Sequence, residues 1–372
     1  MKSNIFLFLI ILFSVSLKAE NVRVRIYTDS NVKEANFGVS FGNYTIEDKQ
    51  IKKNNKLRAV LQNGKVSLYI DDNLAFSKDT IKLISTDAKC FFQITPTGQK
   101  QRRYDNNLEI TTTKDKKSLL FINDVEMENY IAGVVQSEAG GASDNVEFFK
   151  VQAICCRTYM QRNMNKHQKD GYNLCDQVNC QVYFSRANKE QVIEGSYKTA
   201  GEIIVDEMGK PIETLFHSNS GGQTVNAEAV WGKEVSYLKS IVDSFSIGQP
   251  NYVWEKDISE KEWLNYFKNK GIDVKDYNNK VELLNFSQEE GRKDKIFDIS
   301  LVQIRKDFKL KSTFFSVVPW GSSVKLKGKG YGHGVGLSQE GAAKMCEEGY
   351  EYWQVIEHYY TGVKIKEKQV TF

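Results

Sequence analysis

The sequence predicts an α+β protein, with a β-rich N-terminal region followed by a mixed α/β region that carries the chemistry. Three observations predict it. From Val22 the run V-R-V-R-I-Y-T alternates apolar and polar residues, and A-N-F-G-V-S-F-G-N-Y-T-I continues that period of two up to Asn43. Between Asn123 and Tyr159 the apolar residues change to helical spacing. From Gly328 to Gly336 five glycines alternate with side chains, which on a strand leaves one bare face. The expected boundaries are a leader over 1–19, a β-rich region over 20–118 and a catalytic region over 119–372.

The leader has Lys2, an apolar core from Ile5 to Phe13 and a small residue at Ala19, the pattern of a secretory signal peptide too short to span a bilayer. No Cys follows Ala19, so no lipid anchor is indicated, and no later apolar run is long enough to span a membrane. The mature chain is therefore expected to be exported, in a periplasm or at an extracellular cell wall. Loss of Lys2 and Lys18 lowers the formal charge from +4 to +2, too small to argue for nucleic acid. The 18 Tyr and 21 Phe suit a large core and a saccharide-binding surface alike.

Within the β-rich region further strands are expected to end near Asn73 and to span Ile81–Ile84, Phe91–Ile94 and Leu108–Thr112. No recognisable chemistry lies there. The helix pair follows. Asn123 with Glu126 reads as an N-cap pair. Tyr130, Val134 and Glu138 then fall at successive i,i+4 steps, and Gly140-Gly141 breaks the helix. Asp144 with Glu147 starts a second helix, whose stripe is Phe149, Ala153, Cys156 and Met160. Glu138 is the one charge on its stripe. A carboxyl at the buried end of a helix loses solvation, has its pKa raised and can act as a general acid. The competing reading is a solvated glutamate at a frayed helix end.

His167, Cys175 and Cys180 gather one nitrogen and two sulfurs within fourteen residues. They suit a tetrahedral zinc or, equally, a Cys175–Cys180 disulfide. An apolar strand over Ile212–Phe216 then runs into H-S-N-S-G-G-Q-T, a cluster of hydroxyls, amides and glycines that suits a saccharide, with Trp231 available to stack on a sugar face. His217, Ser218, Ser220, Gly222 and Thr224 are its candidate binding residues, with Tyr331 and His333 of the glycine stretch as an opposite wall. No site is visible between Asp243 and Phe315. Ser338 caps a helix that Gly349 ends, and a last helix places Trp353, Ile356 and Tyr360 at core spacing.

With these stretches in view, the chain resembles the SpoIID/LytB family, named for a sporulation protein and an amidase enhancer. The resemblance covers roughly Leu119 to Ile365. It rests on Y-I-A-G-V-V-Q-S-E, K-V-Q-A-I-C-C-R-T-Y, L-C-D-Q-V-N-C-Q-V-Y, H-S-N-S-G-G-Q-T and G-Y-G-H-G-V-G-L-S-Q-E-G-A. It implies an exported, SpoIID-like lytic transglycosylase that cuts peptidoglycan glycan strands, preferring those stripped of stem peptides. Glu138 would be the single catalytic acid, and the products would end in 1,6-anhydro-N-acetylmuramic acid. His167, Cys175 and Cys180 match the zinc positions of some members, so a structural zinc is implied, with no cofactor needed for the chemistry.

Two departures stand out: Ala139-Gly140 follow the acid where the family usually has Met and often Pro, and Asn179 replaces a His before the second Cys. One rival reading is a non-catalytic peptidoglycan-binding protein that recruits or stimulates a cell-wall amidase. Another is a hydrolase using Cys180 with His167.

Overall fold

The computed structural model describes residues 20–367, and the leader expected over 1–19 lies outside them. The N-terminal region contains strands β1 (Asn21–Ile26), β2 (Glu34–Phe41), β3 (Tyr44–Ile46), β4 (Lys49–Ile51), β5 (Leu57–Gln62) and β6 (Lys65–Ile70). They are followed by β7 (Asn73–Lys78), β8 (Ile81–Ser85), β9 (Phe91–Pro96), β10 (Arg102–Asp105), β11 (Asn107–Thr112) and β12 (Leu119–Glu126). Their alternation is the physical cause of the arrangement. Val22, Val24 and Ile26 of β1 are buried while the intervening side chains reach the surface. The strands form two sheets, ordered β10-β9-β2-β5-β6-β7 and β1-β12-β11-β8-β3-β4, whose buried faces share one apolar core. A short strand far along the chain, β13 (Leu174–Cys175), pairs parallel to β1 at Val24 and Arg25 and extends the second sheet.

The same core continues into helices α1 (Met127–Ala139), α2 (Val146–Asn163) and α3 (Glu190–Lys198). Tyr130, Ile131, Val134 and Val135 are buried on α1, as are Phe149, Ala153, Cys156 and Met160 on α2, so both stripes face inward as their spacing predicts. Arg157, 1% exposed, ties the three helices together. It holds Glu128 of α1 through Nε at 3.0 Å and Nη2 at 2.5 Å, and donates to the carbonyls of Ser196 and Glu202. A buried guanidinium is tolerable only when paired and hydrogen-bonded in this way.

Several expectations are corrected. Asn123 caps no helix, because it lies in β12 and α1 starts after Glu126, which makes no side-chain cap bond. Buried, Asn123 donates to the carbonyls of Asp105 and Asn107 and accepts from the Tyr183 hydroxyl. The second helix is capped by Asn145, not Asp144. Only Phe216–His217 form a strand where Ile212–Phe216 was expected, pairing parallel with Leu337–Ser338. The glycine stretch is not a strand beyond Lys329; Gly330, Gly332, Gly334 and Gly336 all have positive φ and make a series of tight bends. Close approach explains them better than a bare face. A Cβ on Gly336 would sit 2.2 Å from the Leu215 carbonyl oxygen, and one on Gly332 2.6 Å from the Cβ of His217. Trp353 is 42% exposed instead of buried, although Ile356 and Tyr360 are in the core.

Residues 253–329 build a second core around Trp263. Its antiparallel sheet orders the strands Val253–Ser259, Ser323–Lys329 and Phe314–Trp320, and its helices include Glu260–Asn269.

Asn123→Asp separates the two readings of that residue. As a helix cap Asp would serve as well as Asn. Inside the sheet it loses both donations, so thermal or urea unfolding should show a loss of roughly 2 kcal/mol or more.

Candidate functional site

The last turn of α1 grips the chain segment that returns after Cys180. Gln136 Oε1 accepts from the backbone N–H groups of Asn188 and Lys189 at 2.7 and 2.9 Å. Ser137 Oγ accepts from Phe184 N at 3.1 Å, and Glu138 Oε1 accepts from Val182 N at 2.8 Å. The Glu138 carboxyl is thus half-buried and oriented by a single backbone donor. Burial pushes its pKa up, and the Val182 N–H offsets part of that shift. Glu138 lines a cleft of about 600 Å³ together with Gly140, Gly141, Ser218, Asn251 and Glu340.

The opposite wall comes from three distant stretches: the Phe216–His217 and Leu337–Ser338 pair joins two of them, and Asn251 of the third bonds to both. Ser338 caps the helix Gln339–Glu347 through its bond from Gly341 N. The first residues of that helix therefore stand beside the H-S-N-S loop, and Glu340 N donates to the Ser218 carbonyl at 3.0 Å. The Glu340 carboxylate accepts from Asn219 Nδ2 at 2.7 Å, from Asn251 N at 3.1 Å and from Asn251 Nδ2 at 2.5 Å. Asn251 Nδ2 also reaches Ser218 Oγ at 3.2 Å. Neither Asn251 nor Glu340 was singled out in the sequence. The Glu in G-L-S-Q-E-G-A was the available signal for one of them, and no motif marks the other.

Of the other residues expected to hold a ligand, Ser218 alone lines this cleft. Ser220 donates to Asp243 at 2.7 Å and Thr224 Oγ1 accepts from Ile241 N at 2.9 Å, so both hydroxyls serve the interior. Gly222, at φ +97°, donates to Ser246 Oγ and completes a tight turn. His217 and His333 pack with ring centres 5.4 Å apart, and Trp231 lies 5.4 Å from His333. His217 Nδ1 donates to the Val335 carbonyl, while His333 Nδ1 accepts from Val335 N. Burial pushes His217 well below the usual histidine range and His333 down to about 4. Both rings are neutral packing partners of the glycine bends at neutral pH. Tyr331 is exposed, and its backbone exchanges two hydrogen bonds with Asn219.

His167, Cys175 and Cys180 do come together, with their ligand atoms all within 4.8 Å of one another. Cys180 Sγ lies 3.5 Å from His167 Nε2, and the two sulfurs are not joined. The Cys175 thiol pulls Cys180 toward thiolate through a hydrogen bond, and Lys166 acts in the same direction. A nitrogen and two sulfurs at this separation fit a metal ion. Asn179 Oδ1, 3.2 Å from Cys175 Sγ, places an oxygen beside the group. The other ring nitrogen of His167 lies 3.9 Å from the Asp170 carboxylate, too far for a hydrogen bond, and that carboxylate accepts from Lys114 Nζ.

Comparison with known proteins shows the family. Residues 115–205 match the family model SpoIID, described as stage II sporulation protein, a span holding Glu138, His167, Cys175 and Cys180. Stage II sporulation protein D of Bacillus amyloliquefaciens is 30% identical over 275 residues, 66% of this chain and 76% of that one. The chain belongs to the SpoIID family. The Bacillus subtilis stage II sporulation protein D is 29% identical over 272 residues, with the same coverage of 66% and 76%. The amidase enhancer of Bacillus subtilis is 24% identical over 291 residues, 63% of this chain and 40% of that protein. In this SpoIID protein the matched span ends at 205, before the wall that carries Ser218, Asn251 and Glu340.

The raised pKa of Glu138 has a consequence for stability. A native pKa above the unfolded value means the folded state holds the proton more tightly. Stability from this group is therefore greatest below the ordinary value of 4.5 and falls as pH rises through the native pKa. Glu138→Gln has no charge to desolvate. It should match the wild type below pH 4.5 and melt above it at neutral pH, as measured by calorimetry across that range.

Proposed function

We propose that this protein is an exported lytic transglycosylase that cleaves peptidoglycan glycan strands, preferably those stripped of stem peptides. The observation that carries this reading is the Glu138 carboxyl, oriented by Val182 N–H and raised in pKa, at one wall of a cleft large enough for sugar rings. In its protonated form, which burial favours, the Glu138 carboxyl gives its proton to the glycosidic oxygen while the bond to C1 of N-acetylmuramic acid breaks. The resulting carboxylate takes the proton of that sugar's C6 hydroxyl as O6 bonds to C1. One group thus acts as acid and then as base, and the product ends in a 1,6-anhydro sugar.

Hydrolysis would need a second carboxyl free to activate water or attack C1. Glu340 lines the cleft, but its two oxygens already accept three N–H donations. Glu347, the other carboxylate of the cleft, is exposed on the helix Gln339–Glu347. The single-carboxyl route fits this geometry better.

His167, Cys175 and Cys180 would hold a zinc ion whose role is structural. When bound, such an ion contributes folding free energy directly. Cys180 begins the segment that reaches Val182, so the ligand group anchors one end of the contact that orients Glu138. Protein purified without added metal is expected to carry one zinc per chain by elemental analysis; a mapped Cys175–Cys180 disulfide without zinc would oppose this.

A second reading is favoured by the relative named amidase enhancer: a glycan-binding protein that stimulates an amidase. Mass spectrometry of products from peptide-free strands separates the two. The wild type should release chains ending in 1,6-anhydro-N-acetylmuramic acid. Glu138→Gln should lower the rate by about 10²–10⁴-fold, the usual worth of a general acid–base. Reducing-end products would mean hydrolysis, and no release by the wild type would favour the amidase-stimulating reading.

A further inference from the structure

Between the N-terminal sheets and helices α1 and α3 lies a second cavity of about 640 Å³, which shares no lining residue with the Glu138 cleft. Its wall contains an ion pair used at only one end. Arg186 Nε donates to Asp105 Oδ1 at 2.7 Å. Among the described residues nothing donates to Asp105 Oδ2, and nothing accepts from either Nη of Arg186. Asp105 is only 8% exposed, yet its free oxygen is not sealed off, because the residue lines the cavity. Burial raises the pKa of Asp105; Arg186 offsets part of the rise, and the negative charge of Glu126 adds to it. Glu126 lines the same cavity, with Oε2 accepting from Asn129 Nδ2 at 3.3 Å and Oε1 unused among the described residues. A positive group beside Asp105 Oδ2 would offset both causes of the rise.

The rest of the wall is apolar. Arg186 Cζ sits 4.3 Å from the ring centre of Phe91, and Phe91 stacks on Phe41 at 5.7 Å with the planes 11° apart. Ala132 of α1 and Ile193 of α3 complete this part. A carboxylate oxygen and guanidinium hydrogens left open on one ion pair complement an ammonium and a carboxylate carried on one carbon. We propose that this cavity binds the head group of an α-amino acid, its ammonium on Asp105 Oδ2, its carboxylate on Arg186 Nη and its side chain against Phe41 and Phe91. Both contacts are hydrogen bonds between full charges, the stronger kind. A ligand with only one of the two charges leaves half of the ion pair unused. Free amino acids carry this head group, and so do the side chains of diamino acids held in peptides.

Calorimetric titration of full-length wild-type protein tests the charge pattern. The probes are both enantiomers of leucine, 3-methylbutylamine, which lacks the carboxylate, and 4-methylpentanoate, which lacks the ammonium. At least one enantiomer should bind, and each fragment should bind about 10-fold or more weakly. A tripeptide with a central diaminopimelate, whose side chain ends in a free head group, separates the sources. Tighter binding than leucine assigns the site to peptide-borne head groups, and weaker binding assigns it to free amino acids. Binding of neither overturns the proposal, as does an amine or an acid that binds as well as leucine.

Asp105→Asn and Arg186→Gln locate the site, and each should weaken binding by about 10-fold or more. Each also leaves the opposite charge unpaired, so melting temperatures are measured alongside. Should either variant unfold, Phe41→Ala takes its place, since that ring is 54% exposed and its loss should lower affinity several-fold. Unaltered affinity in the folded variants overturns the proposal. Glu138→Gln should bind the probes as wild type does, so a failure of the transglycosylase reading leaves this site untouched.

Discussion

Three consecutive side chains at the end of α1, Gln136, Ser137 and Glu138, spend their acceptors on the backbone of one returning segment. Each bond is an ordinary one, worth about 1 kcal/mol net. Together they fix where α1 ends and where residues 182–189 lie, and they leave the glutamate neither solvated nor fully enclosed. The grip depends in turn on what holds that segment. Leu174 and Cys175 pair with β1, and the buried Asp176 accepts from Tyr27 N, Thr28 N and Arg102. The N-terminal sheets thereby reach the orientation of Glu138 through Asp176, Cys180 and Val182.

The other wall is organised by backbone closeness instead of by a helix. Glycine at 332 and 336 lets the chain lie against His217 and Leu215 where any Cβ would collide. The alignment of the H-S-N-S loop with the helix Gln339–Glu347 follows from that packing. Glu340 then converts proximity into a fixed polar surface. The cleft thus has one wall that sets a proton affinity and another that presents oriented dipoles.

Much of this was legible in the sequence, for identifiable reasons. The β-rich start was read from period two, and both helix stripes from period 3.6, because burial enforces those periods over many residues. Glu138 stood out as a lone charge on such a stripe. The glycine stretch was misjudged because alternation in sequence is the same for a strand and for a series of bends; it carries no information on the sign of φ. Asn123 was misjudged because a polar residue before a helix looks alike as a cap or as a buried bridge. Only its partners Asp105, Asn107 and Tyr183, distant in sequence, distinguish the two. Asn251 and Glu340 are 89 positions apart, so no local pattern could pair them. Arg157 was passed over because its partners Glu128, Ser196 and Glu202 lie on other elements, distant in sequence.

The parallel pairing of β13 with β1 also has a temporal side. On a chain delivered from its N-terminus, β1 finds β12 about a hundred residues later, yet its other edge stays open until Leu174 arrives. Unpaired strand edges invite pairing with foreign chains. In the folded chain the pairing of Leu174 and Cys175 covers that edge. The segment that covers this edge of β1 is thus the same one that carries Cys175 and Cys180 to His167.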